Sequence, residues 1–199
     1  MADRPDDPAR PADTVPATPD GYFPPYITLA HMFHAPKGWS IVDREMTQFV
    51  LQYVVDGFAC YPVEGRPYET RRGDLLFHRP HERHSILTVP DRPYVCISIV
   101  FHFGDAAFPY DDLFGGRHWL GNFANHPVDA LLHRLVQHYR QPGLVHRLRC
   151  QSLLLQLFAE AAGWDAARTA DAGADRNAMP KLVIVKNYLH EHSDRDIRI

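Results

Sequence analysis

The run Phe49-Val50-Leu51-Gln52-Tyr53-Val54-Val55, followed by Asp56-Gly57 and then Phe58-Ala59-Cys60-Tyr61, decides the fold. Its β-branched and aromatic residues favour extended backbone, and Asp-Gly supplies a turn between the two halves. Alternation within Phe49–Val55 is poor, as expected of a strand covered on both faces. Downstream, Gly65 precedes Arg72-Gly73-Asp74-Leu75-Leu76-Phe77-His78-Arg79-Pro80, with His84 four residues beyond the proline. Tyr94-Val95-Cys96-Ile97-Ser98-Ile99-Val100-Phe101-His102-Phe103 closes the stretch. Upstream, Ile27–His34 alternates enough to form a strand that Pro36 and Gly38 stop, and Trp39–Val42 supplies another. Short β-rich runs punctuated by Gly, Pro and Asp at intervals of about 8–12 residues predict an antiparallel sandwich or barrel.

Composition bounds what such a barrel can do. A chain of 199 residues with 45% hydrophobic content buries a real core, so it is not a disordered tail. The formal charge of −3 and the lack of a Lys/Arg cluster weigh against nucleic-acid binding by this stretch alone. Cys60, Cys96 and Cys150 are scattered, form no CxxC pair and read as buried apolar fillers. With no apolar signal segment at the N-terminus, a reducing cytoplasm is the expected compartment. No apolar run approaches the ~18 residues of a membrane span.

Either side of the barrel the texture changes. Residues 1–25 are Pro-rich with little apolar content before Tyr22, which predicts a flexible arm. After Gly104, Asp111–Asn125 reads as a Gly- and aromatic-containing loop. Asn125-His126-Pro127 then offers a polar cap and a first-turn proline. Val128, Leu131, Leu132, Leu135, Val136 and Tyr139 form one apolar helical stripe that Pro142-Gly143 ends. Leu144, Leu148, Leu155, Phe158 and Ala162 mark a second, longer helix whose wide apolar arc predicts two buried sides. Residues 165–178 read as a linker, and Pro180 opens a third helix through Leu182, Val185, Tyr188 and Leu189.

The order and spacing of these pieces resemble the cupin sensor domain of an AraC-type transcriptional regulator. The most specific parts are Asp43-Arg44, Phe49 through Gly57, Gly73-Asp74-Leu75-Leu76 with Pro80 and His84, and Val100-Phe101-His102-Phe103. Val183–His192 resembles the first helix of the AraC-type DNA-binding domain, with Ser193–Ile199 as the turn after it. The resemblance implies a mostly β plus α fold: a cupin-like (jelly-roll) β-barrel at 26–105, followed by an α-helical dimerisation unit at 106–165. Residues 166–199 would be a linker and the first helix of a truncated helix-turn-helix domain. It further implies a small polar effector in the barrel, a homodimer, and DNA contact only through the C-terminal domain that the chain lacks, with no enzymatic activity. The arm at 1–25 would then be either a plain extension or a lid folding over an occupied site.

The same comparison directs attention to particular side chains. Arg44 follows the family's Asp-Arg, where an inward guanidinium donates several fixed hydrogen bonds to hydroxyls or a carboxylate. Tyr53, Ser98, Val100 and His102 are candidates for the cavity wall by strand alternation, and His84 for the barrel rim. Leu148 and Leu155 are the expected dimer contacts. Where metal cupins carry His-x-His and a downstream Glu, this chain has Phe58-Ala59-Cys60-Tyr61-Pro62-Val63-Glu64, so most of the usual cage is missing. No cofactor is therefore expected. The alternative is a Zn, Ni or Fe enzyme, a dioxygenase or isomerase, built on His78, His81, His84 and His102. The family's Gly after the proline is His81 here.

Overall fold

The structure, a computed structural model, describes residues 25–104, 108 and 110–163. The expected arm before Pro25, the linker and the third helix fall outside the described residues. Within them the chain forms nine strands and three helices. The strands are β1 (Tyr26–Ala35), β2 (Ser40–Glu45), β3 (Phe49–Asp56), β4 (Phe58–Val63), β5 (Arg66–Arg71), β6 (Asp74–His78), β7 (Arg83–Thr88), β8 (Tyr94–His102) and β9 (Trp119–Asn122). The helices are α1 (Tyr110–Phe114), α2 (Pro127–Tyr139) and α3 (Leu144–Ala162).

The strands pair antiparallel into two sheets. One has the order β1-β8-β3-β6-β9 and the other β2-β7-β4-β5, which is a jelly-roll sandwich. In the larger sheet the register sets Leu51 beside Phe77 and Ile99, and Gln52 beside Leu76 and Ser98. Because side chains alternate along a strand, these neighbouring rows point to opposite sides. Leu51, Tyr53, Leu75, Phe77, Ile97, Ile99 and Phe101 pack with buried residues of α2 and α3. Val54, Leu76 and Cys96 pack instead with Ala59, Tyr61 and Ile86 of the second sheet. The central strand β3 is buried along Val50–Val54 because both of its faces are covered, which accounts for its weak alternation.

Two turns depend on glycine. Gly57 at the Asp-Gly turn has φ +88°, and a Cβ there would lie 2.2 Å from the Pro93 carbonyl oxygen. Gly73 has φ +92°, and its Cβ would lie 2.6 Å from both the Ala124 backbone nitrogen and Cβ. His81, where the family carries Gly, also takes a left-handed φ of 66°.

The segment read as a loop at 111–125 is partly regular. It contains the end of α1 and then β9, which extends the larger sheet beside β6, opposing Leu75 to Gly121 and Asp74 to Asn122. Four residues carrying a central glycine give too short an alternation to read as a strand. Its anchors are tertiary: Trp119 Nε1 and Asn122 Nδ2 donate to buried Asp74 at 3.1 and 2.9 Å. The helices follow their patterns. His126 caps α2, its Nδ1 accepting from Val128 N at 3.3 Å, and Pro127 occupies the first turn. The α2 stripe is buried from Val128 to Val136. In α3 Cys150, Leu153, Leu154, Leu157, Phe158 and Ala161 are buried, while Leu144, Val145 and Leu148 stand exposed. All three cysteines are free and buried. No helix among the described residues is long and apolar enough to cross a membrane.

Candidate functional site

Polar side chains gather between the sheets at one end of the barrel. On the larger sheet, β3 supplies Gln52, β6 supplies His78 and β8 supplies Ser98. Across from them, β7 supplies His84 and β2 supplies Arg44, brought opposite His84 by a bulge between Ile41 and Arg44. His78 and His84 are 1% and 2% exposed, and Gln52 is 1% exposed.

Arg44 and His84 form the fixed core of this group. Arg44 Nε and Nη2 lie 3.0 and 2.9 Å from His84 Nε2. A guanidinium only donates, so Nε2 is the acceptor and the ring proton sits on Nδ1, which faces the Glu82 carbonyl at 3.4 Å. Burial and then the Arg44 charge hold His84 below the ordinary histidine range, which keeps it neutral. His78 stacks on His84 with ring centroids 4.6 Å apart and also lies stacked against Tyr61 at 5.8 Å. Burial, reinforced by His84, His118 and Arg44, drives His78 well below its ordinary value. Two imidazoles in the site are therefore neutral, and Arg44 is its cation.

The polar groups are incompletely partnered. Ser98 Oγ donates to Gln52 Oε1 at 2.7 Å, but Gln52 Nε2 and both ring nitrogens of His78 have no hydrogen-bond partner among the described residues. The Gln52 amide lies close enough to Cys96 and Tyr94 to favour their ionised forms, without completing a bond to either. Burial outweighs that influence and pushes the Cys96 thiol up to about 11. Buried polar groups are nearly always satisfied, so orphan atoms on two residues of the same inner face mark a place suited to something polar.

The carboxylates near Arg44 are committed elsewhere. Asp43 holds Arg83 at 2.8 Å, Glu45 holds His81 at 2.9 Å, and Glu82 holds both Arg79 and His118 at 3.0 Å. The charge of Arg44 reaches inward instead, to Tyr61, Cys96 and His78.

Of the residues expected to line the cavity, Arg44, His84, Ser98 and Val100 do share the inner side. Tyr53 does not. The register places it among the helix-facing residues, where burial and a hydrogen bond to Asp129 of α2 push its phenol up. One residue of offset along β3 is enough to send it there. His102 shares the parity of Ser98 but lies at the end of β8, its ring 5.3 Å from Tyr26 and its Nδ1 accepting from Gly104 N.

The four histidines of the metal alternative do not converge. His78 and His84 meet, but His81 turns outward to Glu45 and His102 sits at the strand end. No group of three or more His, Cys, Asp or Glu side chains among the described residues could hold a metal ion. The lone pair that His84 Nε2 would give a metal is already directed at a guanidinium, so this donor set does not fit Zn, Ni or Fe.

Sequence reasoning passed over Gln52, Tyr61 and Tyr94. Gln52 had a signal: it is the one amide inside the apolar run Phe49–Val55. Tyr61 and Tyr94, whose hydroxyls meet at 3.2 Å in the interior, had none, because buried tyrosines are common core residues.

No curated protein sequence matches the chain. Among solved structures, a predicted oxalate decarboxylase from Thermotoga maritima is similar at 20% identity and TM-score 0.35, over 37% of this chain and 65% of that one. An RmlC-like cupin from Shewanella frigidimarina is 21% identical at TM-score 0.35, over 39% of this chain and 68% of the other. A salicylate 1,2-dioxygenase from Pseudaminobacter salicylatoxidans is 20% identical at TM-score 0.34, and the chain spans only 30% of its length. The family model for the AraC-like ligand binding domain matches residues 36–158, well over half of the chain. With that match lying across every strand from β2 to β9 and most of the helical pair, the chain belongs to the AraC-like ligand binding domain family.

Proposed function

We propose that this chain is the effector-sensing and dimerising part of a DNA-binding transcriptional regulator of the cytoplasm rather than an enzyme. A small polar effector binds between the sheets against Arg44, Gln52, His78, His84 and Ser98. The observation that carries this reading is the set of orphaned polar atoms on Gln52 and His78, together with Arg44, whose charge acts on His78 and which has no acidic partner among the described residues. A buried, unfilled hydrogen-bonding set costs stability, and a ligand that completes it favours whichever arrangement of the protein it fits best. DNA contact belongs to a helix-turn-helix unit, whose first helix residues 183–192 resemble.

The partner for dimerisation is a second copy, docked on α3. Leu144, Val145 and Leu148 are 72%, 59% and 55% exposed on its first two turns, an apolar strip that the described residues leave uncovered. Leu155 is half-buried and packs inward, so Leu148 is the better probe. Native mass spectrometry of the intact chain tests both halves of the proposal. The expected result is a dimer carrying a small organic adduct, with Leu148→Asp giving a folded monomer that keeps the adduct. A monomeric wild type, or a species binding one transition-metal ion per chain, contradicts the reading.

A further inference from the structure

Taking the interior site as the effector site, we infer that its ligand is a small hydroxycarboxylate: an organic anion with a hydroxyl near its carboxylate. The inference comes from counting what the interior lacks. Arg44 is half-buried and always charged, yet it spends two N–H groups on a neutral imidazole. Asp43, Glu45 and Glu82, the carboxylates on its own strand and on the neighbouring turn, each have another side chain as partner: Asp43 has Arg83, Glu45 has His81, and Glu82 has Arg79 and His118. Among the described residues the site therefore carries one positive charge without an acidic partner, which an anion would neutralise. A carboxylate is the planar acceptor that a guanidinium fork matches best.

The remaining vacancies specify more than charge. Gln52 Nε2 is a donor. His78, held neutral, offers one N–H donor and one bare nitrogen acceptor. The free groups are thus mainly donors with a single acceptor. A carboxylate and an amide-bound oxygen satisfy the donors, and an O–H is needed for the bare His78 nitrogen. A hydroxyl beside a carboxylate does both, because its oxygen accepts from Gln52 while its proton goes to His78. A plain carboxylate leaves that nitrogen empty, and a neutral polyol leaves Arg44 uncompensated.

Isothermal titration calorimetry on the full chain, in buffer free of phosphate, tests this with lactate, malate and mandelate. Each is paired with its amide and with the acid lacking the hydroxyl. At least one hydroxy acid should bind saturably at one per chain, with its amide and its deoxy analogue each weaker by about tenfold or more. Arg44→Met should erase the preference for acid over amide, and Gln52→Leu the preference for the hydroxyl, while circular dichroism shows both variants folded. Equal binding of acid and amide, tighter binding of glycerol or a pentose, or silence from all three acids up to millimolar concentration overturns the ligand class. An effector adduct of neutral composition in native mass spectrometry would do the same while leaving the sensing reading intact. Absence of any adduct and of any binding would remove both.

Discussion

The two faces of the five-stranded sheet are built from the same strands and do opposite things. Toward the helices, β3, β6 and β8 present Leu51, Phe77, Ile99 and Phe101, sealed by Phe158 of α3 and by Phe103, Phe108 and Phe114. The rings interlock: Phe101 and Phe158 have centroids 5.4 Å apart, and Phe103 and Phe108 stack at 4.0 Å. One residue over on each strand, the other face presents Gln52, His78 and Ser98, with orphaned nitrogens and neutral imidazoles. The first face is complete by itself, whereas the second leaves polar atoms unpartnered among the described residues. On the proposed reading, stability and binding fall to alternate residues of one sheet.

The sharpest way to break that contrast is to cut into the helix-facing side. Phe101 is fully buried there, and Phe101→Ala removes a ring from a cluster that cannot collapse around the gap. Urea denaturation should show a loss of about 3–5 kcal/mol. A loss near zero would mean that the helix layer does not carry the fold.

The inner face should answer with the opposite sign. His78→Phe keeps a flat ring against Tyr61 and His84 but removes two buried nitrogens that have no partner. In the ligand-free protein it should raise stability by about 1–3 kcal/mol, the penalty of leaving such groups unsatisfied. Effector binding should disappear in the same variant, the usual cost of stabilising a site that binds by being incomplete. A destabilised His78→Phe would show that the imidazole is satisfied in solution and that the two faces do not differ in kind.

Much of this contrast was legible in the sequence, and the exceptions have physical causes. The β-runs, the turn glycines and the α2 stripe follow from local preferences and periodicity, so β1, β3, β4, β6, β8, α2 and α3 lie within a few residues of where they were read. β9 was missed because its four residues owe their extended form to Asp74 and β6 rather than to their own pattern. Arg44, Ser98 and Val100 were placed on the inner side by motif and alternation. Tyr53 was placed there too but lies on the helix side, since two covered faces blur the alternation and an offset of one reverses the side chain. Only the completed strand pairing, with Gln52 set beside Ser98, separates the inner row from the outer one.

The gentlest probe of the inner face is pH. His78 and His84 both have folded values held below the ordinary 6.5, in each case chiefly by burial. When the pH falls below about 6.5 the unfolded chain takes up protons on these imidazoles while the folded chain does not, so the unfolded state binds more protons and stability declines. Their contribution is complete above that pH and is lost progressively toward the lowered folded values. Between pH 7 and 6 the expected loss is below about 1 kcal/mol per imidazole, read as a falling urea midpoint. Protonating His84 would also set two cations face to face, because its Nε2 receives both N–H groups of Arg44. In His78→Phe the slope should shrink by the His78 share, leaving those of His84 and of His31 and His138, whose values are also lowered, whereas in Phe101→Ala the whole slope should persist on a lower baseline. A slope unchanged by His78→Phe would mean that this ring ionises as freely folded as unfolded, and the inner face would then be wetter than its burial implies.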